Sequence, residues 1–286
     1  MGTWNFRKQN VIPYIELISL TLLLALNKVN TESEAFSFNH FKPGITDPDL
    51  ILQGDTRRTQ SGLLQLTKVD QNGIPIWNST GRAIYADPFH VWDSTTGNVA
   101  SFETRFAFSI NQTHPIHADG FVFFMAHRNS KPGKGGGNLG LFDSSEEHKS
   151  YQTLAIEFDT FRNSFDPPQV PHIGIDVNSI RSIKTHPFHL HNGQVARVAI
   201  SYDAFSKILY IALVYPPSGT IYHVTHIVDL KEVLPEWIDV GFSASSGLTP
   251  NAAETHDIYS WYFCVSLPED TDEIAASKNN PFKRCY

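Results

Sequence analysis

An all-β sandwich of two sheets, carried by a single domain, is the fold this chain predicts, and three features of its 286 residues predict it. From residue 100 onward apolar side chains recur with a period of two, the pattern of strands that bury one face. Clusters of turn residues interrupt that pattern at short intervals. A helical period shows only at Asp229 to Leu234, and neither an internal repeat nor an interdomain linker divides the chain.

The N-terminus reads as a secretory signal peptide over residues 1–33. Arg7 and Lys8 precede an uninterrupted apolar run, Leu17 to Leu26, which falls well short of the roughly 20 residues a bilayer crossing needs. Small or polar residues at Asn30-Thr31-Glu32-Ser33 place cleavage between Thr31 and Glu34. The expected location is therefore the secretory pathway, with secretion, a vacuole or a protein-storage compartment as its end. No later segment is long and apolar enough to span a membrane. Two acceptor sequons, Asn78-Ser79-Thr80 and Asn111-Gln112-Thr113, fit that route as glycosylation sites.

The sandwich domain is expected over residues 34–267. On its first clear strand Phe102, Thr104, Phe106, Phe108 and Ile110 face one side, with Glu103, Arg105, Ala107 and Ser109 opposite. Further strands follow at 120–125, 154–161, 173–177, 196–202, 208–215, 238–244 and 258–267. Asp93-Ser-Thr-Thr-Gly97, Asp166-Pro-Pro168, Asn192-Gly193 and Pro216-Pro-Ser-Gly219 supply turns between or beside them. Residues 268–286 turn polar and acidic and read as a tail.

Charged residues make up 18% of the chain, below the roughly 25% of an average soluble domain, while 41% is hydrophobic, which excludes disorder. The net charge of −7 comes without a basic face to neutralise phosphates, so nucleic acid is excluded as a partner. Two cysteines cannot form a disulfide framework, so stability must come from the core. Cys264 shares its strand face with Tyr262 and Ser266, opposite Trp261, Phe263, Val265 and Leu267, and Cys285 sits in the tail. An intrachain bridge, an interchain bridge and free thiols are all compatible with secretion.

The chemistry concentrates in Glu157-Phe-Asp159-Thr-Phe161-Arg-Asn163-Ser-Phe165-Asp166, followed by Pro-Pro-Gln-Val-Pro-His172. Glu157 and Asp159, at i and i+2 on a strand, project from one face about 7 Å apart at Cα. A Pro-containing loop can fold Asp166 and His172 back toward them. Hard oxygens from Asp159, Asn163, Asp166 and a backbone carbonyl suit Ca²⁺, whereas Glu157 and His172 add the mixed oxygen and nitrogen set that suits Mn²⁺. Asp159 and Asp166 can serve both ions. A strand bearing Glu-x-Asp also opens the motif of laminarinase-like glucan hydrolases, but a retaining glycosidase needs a second carboxyl about 5 to 5.5 Å away. Positions 160–163 hold Thr160, Phe161, Arg162 and Asn163, none of them an acid, and no other catalytic motif is present. The chain therefore reads as a binding protein and not an enzyme.

That stretch, with His172-Ile-Gly-Ile-Asp-Val-Asn-Ser-Ile180, Ala118-Asp-Gly-Phe-Val-Phe-Phe124, Gly81-Arg-Ala-Ile-Tyr85, Leu234-Pro-Glu-Trp237 and Val240-Gly-Phe-Ser243, resembles the legume lectins. The resemblance runs from about Ala35 to Pro268 in the family's order, and is strongest to the galactose/N-acetylgalactosamine lectins of coral-tree (Erythrina) and soybean type, which share the seven-residue step from Asp159 to Asp166. It implies a concanavalin-type jelly roll, a Ca²⁺ and Mn²⁺ pair, and a shallow monosaccharide site. Carried over, it assigns Glu157, Asp159, Asp166 and His172 to the transition ion. Asp159, the Phe161 carbonyl, Asn163 and Asp166 go to Ca²⁺.

For the sugar, the resemblance implies Asp119, reached through a cis Ala118–Asp119 peptide, the Gly137 backbone N–H, the Phe161 ring and Asn163. A carboxylate accepts hydrogen bonds from two adjacent hydroxyls, an amide donates, and an aromatic face covers the apolar C–H patch of galactose. The loop Gly247 to His256 has the long form of the galactose binders, with Leu248 and Thr249 at the wall. Thr249 departs from the Gln or Asp of those relatives, which implies weaker contact with the monosaccharide, and Gly136 and Asn138 open space for neighbouring sugars. Pairing through back sheets implies a homodimer or homotetramer. The alternatives in the same fold are a non-lectin defence relative, amylase-inhibitor-like or arcelin-like, and more distantly the glucan hydrolase.

Two features can mislead. Ser130-Lys-Pro-Gly-Lys-Gly-Gly-Gly137 looks like a phosphate cradle but lacks the Gly-Lys-Ser/Thr ending and a following helix, so it reads as the loop that carries Gly137. His186, His189 and His191 look like zinc ligands but surround a proline turn, and read as a solvated loop.

Overall fold

The computed structural model describes residues 31–43, 49–168 and 170–268. Residues 1–30 of the expected signal segment and residues 269–286 of the expected tail lie outside the described residues. The described strands are β1 (Thr31–Phe38), β2 (Leu50–Gly54), β3 (Arg57–Arg58), β4 (Leu64–Gln65), β5 (Thr80–Tyr85), β6 (Phe89–His90), β7 (Ser101–Gln112) and β8 (Asp119–His127). There follow β9 (Thr153–Asp159), β10 (His172–Val177), β11 (Lys184–Pro187), β12 (Ala196–Asp203), β13 (Ile208–Tyr215), β14 (Thr220–Ile227), β15 (Trp237–Ser246) and β16 (Glu254–Pro268). A single turn of helix, α1 (Leu230–Val233), precedes β15, and Asp229 caps it through Oδ1, 3.2 Å from the Lys231 N–H, as its sequence predicts.

One sheet runs β14-β13-β12-β7-β16-β4-β3, with β1 beside β16; the other runs β11-β10-β9-β8-β15-β5-β2, with β6 beside β15. The predicted two-sheet sandwich is thus the observed one. Each strand read from the sequence falls inside an observed strand except at 154–161. There β9 ends at Asp159, because the Phe161 N–H turns back onto Asp159 Oδ1 at 2.7 Å and the Thr160 N–H bonds Asp119 O at 3.0 Å. β14 escaped the period-two reading because it is an edge strand, where His223, Thr225 and His226 stand on mostly solvated positions.

The alternation along β7 sends Phe102, Phe106, Phe108 and Ile110 into the space between the sheets, where they meet Phe121, Phe123, Phe158 and Phe242. Trp261 crosses this core with its indole N–H donating to Thr104 Oγ1 at 3.1 Å. A second, smaller core lies on the outer face of the β8-β9-β15 sheet. Leu139, Leu141, Phe142 and Ile180 descend from loops onto Val122, Phe124, Ala126 and Ala155. β9 is therefore buried on both faces, not on one. Among the described residues no helix is long and apolar enough to cross a membrane.

Phe242 packs edge-on to Phe106 at 5.0 Å and lies 4.7 Å from Trp261, so its removal leaves a cavity the two sheets cannot collapse into. Phe242→Ala should cost about 3–5 kcal/mol of unfolding free energy and Phe242→Leu under about 1.5 kcal/mol, read as urea midpoints at unchanged slope.

Candidate functional site

Three neighbouring strands reach the same end of the second sheet. Asp119 opens β8, Asp159 closes β9 and His172 opens β10, and the register sets Asp159 opposite both Gly120 and His172. Glu157 lies two residues further in, opposite Gly174. Gly174 has to be glycine, because a Cβ there would strike the Glu157 carboxylate and Ser182 Oγ. Glu157, Asp159 and His172 are each 1% exposed, and each offers a donor atom within 4.8 Å of the others. His172 Nε2 stands 2.8 Å from Glu157 Oε1.

The loop after β9 folds back as its sequence predicts. The Asn163 N–H donates to Asp166 Oδ2 at 2.5 Å, and the Asp166 N–H to Asn163 O at 3.3 Å. Glu157 Oε2, His172 Nδ1, Asn163 Oδ1 and Asp119 Oδ2 are buried without a hydrogen-bond partner. Buried polar atoms without a partner are costly, and Glu157 and His172 belong to one group of potential metal ligands with Asp159. Electrostatics agree. Burial, then the charges of Glu157 and Asp166, pushes Asp159 well above the usual carboxylate range. Burial raises Asp166 to about 6, against the opposing hydrogen bond from the Asn163 backbone. The donor set fits a divalent cation, which would offset all of these charges.

Beside the cluster, Asp119 follows a cis Ala118–Asp119 peptide, as the resemblance implied. Burial, then Glu254 and Asp166, raises its carboxyl to about 7. The glycine-rich loop forms a short 3₁₀ turn at Gly136–Asn138 and sets Gly137 against Asn163 so closely that a Cβ would collide with the amide. The Gly136 N–H donates to Ser245 Oγ at 2.7 Å, and a Cβ on Gly136 would stand 2.8 Å from Leu248 Cδ1. Leu248 and Thr249 are exposed on the turn closed by the Ala252 N–H on Thr249 O at 3.0 Å. Phe161 is half-buried on the turn that follows Asp159. The glycine-rich loop thus meets the turn after β9 at Gly137 and Asn163 and the 247–256 loop at Gly136 and Leu248.

The legume lectin domain model matches residues 33–280. The chain belongs to the legume lectin family. It is 62% identical to a lectin of Erythrina corallodendron over 267 residues, 92% of this chain and 94% of that one. The structure of basic winged bean lectin with Tn-antigen superposes with a TM-score of 0.79 at 55% identity, covering 83% of this chain and all of that one. Winged bean acidic lectin complexed with methyl-α-D-galactose gives 0.78 at 52%, with the same coverage. The glucan-hydrolase alternative falls with these matches: this lectin is not an enzyme.

In this lectin the sequence reading missed the support behind Asp119. Glu254 is fully buried, with His117 Nδ1 at 3.0 Å, His256 Nε2 at 3.1 Å and a hydrogen bond from Thr160 Oγ1. Burial raises Glu254, but the hydrogen bonds from His117 and His256 outweigh it and hold the carboxylate below its ordinary range. The signal was Glu254-Thr-His256, an i, i+2 pair of polar residues on one face of a strand. Asp176, buried and raised by desolvation, and Ser182, 2.5 Å from Glu157 and 2.6 Å from Asp176, were also missed. His186 and His189 are exposed and the His191 ring lies 4.4 Å from Tyr215; among the described residues only Glu157, Asp159 and His172 form a group of potential ligands. Asn78 is exposed just before β5, and Asn111 is half-buried in β7.

A carboxyl whose folded pKa exceeds its unfolded one binds its proton more tightly when folded, so its contribution to stability falls as pH rises between the two values. For Asp166 and Asp119 that window runs from the ordinary 3.8 to about 6 and about 7. Chelated protein should therefore lose several degrees of melting temperature between pH 5 and pH 8. Protein loaded with divalent cations should not, and calorimetry at both pH values with and without chelator checks the difference.

Proposed function

We propose that this chain is a Ca²⁺- and Mn²⁺-dependent lectin for galactose- and N-acetylgalactosamine-containing glycans. The observation that carries the proposal is the pair of unpartnered buried oxygens, Asp119 Oδ2 and Asn163 Oδ1, the second of them against the Gly137 backbone. Asp119 accepts from two adjacent hydroxyls, the Gly137 N–H and the Asn163 amide donate, and the Phe161 ring takes the C–H face of the sugar. Glu157, Asp159, Asp166 and His172 hold the transition ion; Asp159, the Phe161 carbonyl, Asn163 and Asp166 hold Ca²⁺. Bound ions supply positive charge that keeps these carboxylates ionised and the 160–166 turn fixed. The intact ligand set argues against a defence relative that has lost sugar binding.

Specificity for the axial O4 of galactose rests on the long 247–256 loop, with Leu248 and Thr249 at its exposed tip. The ligands named for the two winged bean relatives are of the same class. Thr249 has one short hydroxyl, so it reaches the sugar through water and the monosaccharide binds weakly. The chain enters the secretory pathway through residues 1–33. Cleavage between Thr31 and Glu34 leaves Ala35–Phe38 paired with Trp261–Cys264. Residues 34–267 are the lectin domain and 268–286 its tail, with glycans at Asn78 and Asn111. A homodimer or homotetramer supplies multivalency.

Asp119→Ala should abolish binding while leaving the fold intact, because a hydrogen-bonded charge worth about 1.5–3 kcal/mol is a large share of the about −4 kcal/mol of a millimolar monosaccharide. Gly137→Ala should do the same by displacing Asn163; titration calorimetry with wild-type affinity in either folded variant would overturn the assignment. In hapten inhibition, galactose and N-acetylgalactosamine should outcompete methyl mannoside, and chelator should remove binding until Ca²⁺ and Mn²⁺ are returned. Inhibition by mannoside alone would refute the specificity, and inhibition by no simple sugar would favour the non-lectin relative.

A further inference from the structure

We propose that an N-linked glycan on Asn78 stands at the rim of the sugar site and sorts ligands by size, admitting free galactosides and crowding out large branched glycans. The proposal rests on the galactose site and the secretory entry set out above, and adds a regulator of that same site. Asn78 is exposed and opens the sequon Asn78-Ser79-Thr80. In the secretory pathway its amide nitrogen would displace a lipid pyrophosphate from the anomeric carbon of a preassembled oligosaccharide. The N–C bond forms as the C–O bond breaks, and the amide gives up one proton.

Strand register places this sequon beside the site. Ser246 on β15 pairs with Asp119 on β8. On its other side the Ser246 N–H donates to Ser79 O at 2.9 Å, and the Ser79 N–H donates to Ser246 Oγ at 3.0 Å. Ser79 therefore stands roughly 10 Å, two strand spacings, from Asp119. One residue further out, Gly247 is held between Asn78 and Ala118: its carbonyl accepts from the Asn78 N–H at 2.6 Å, and its N–H donates to Ala118 O at 3.1 Å. The sequon also touches the glycine-rich loop, since a Cβ on Gly135 would stand 2.6 Å from Thr80 Oγ1. Asn78 thus opens a segment fixed to both loops, the one that carries Gly137 and the one that carries Leu248 and Thr249. Trp77, the residue before it, is exposed, an indole that the apolar C–H faces of the first sugar rings can cover. The second sequon differs, because Asn111 is half-buried in β7 on the other sheet. A bulky hydrated chain at the rim obstructs a partner that extends beyond the monosaccharide and leaves the monosaccharide's own contacts unchanged.

Mass mapping of the protein made through a eukaryotic secretory pathway should find Asn78 glycosylated. Enzymatic hydrolysis of the N-glycosidic bond converts Asn78 to Asp, so the treated protein and the Asn78→Asp variant are the same chain at this position. Aspartate tolerates the positive φ of this residue as asparagine does. Both forms should bind a glycoprotein whose branched glycans end in galactose about threefold or more tighter than the glycosylated protein does, with inhibition by methyl galactoside unchanged. Asn111→Gln should bind like the glycosylated wild type. An unmodified Asn78, equal glycoprotein binding with and without its glycan, or a gain that follows Asn111→Gln would overturn the proposal. Failure of methyl galactoside to inhibit any form would refute the sugar site itself, and the proposal with it.

Discussion

Carboxylates buried side by side set the terms for this structure. Glu157 and Asp159 sit on a strand that is covered on both faces, with Asp176 and Asp119 close by and equally buried. Among the described residues His172 and Ser182 hydrogen-bond Glu157, while Glu157 Oε2 and Asp119 Oδ2 have no partner. Such an arrangement is costly to a folded protein unless a cation offsets it.

The layer of loops above β8, β9 and β15 follows from the same constraint. It needs its own apolar core to stay down, and Leu139, Leu141, Phe142 and Ile180 supply one. It also needs a fixed edge. Arg82, fully buried, spreads over the Phe124 ring at 4.6 Å and donates to Ser130 O and Oγ at 3.3 and 3.0 Å, pinning the start of the glycine-rich loop. Burial lowers that guanidinium to about 10, yet it stays charged at neutral pH. Gly137 owes its place beside Asn163 to this anchorage and to the Gly136–Ser245 hydrogen bond. On the other side Glu254 and its two histidines brace the peptide that ends in Asp119 and the threonine that follows Asp159.

Much of this was legible in the sequence, for reasons that can be named. Period-two patterning located β7, β12, β13 and the inward face of β16, since each has a wet or thinly covered side that forces alternation. Ligand spacing located the cluster because donor chemistry is read from residue type alone. β9 and β8 gave uninterrupted burial, so their apolar runs announced strands without telling which face carried the site. β1, β2 and β5 lay before the region where alternation is clear. The Glu254 network left only the Glu254-Thr-His256 pair in the sequence, because His117, its other histidine, lies 137 residues away and nothing local ties it to that strand.

The double covering of β9 has a kinetic side. Three potential ligand residues are each 1% exposed, and the 160–168 turn after them mixes buried, half-buried and exposed residues. A cation bound there would meet almost no bulk water, so its release would need some local opening of the surrounding structure. Its exchange would then report on the local stability of that surrounding structure, to which the Asn163–Asp166 hydrogen bonds and the small outer core contribute.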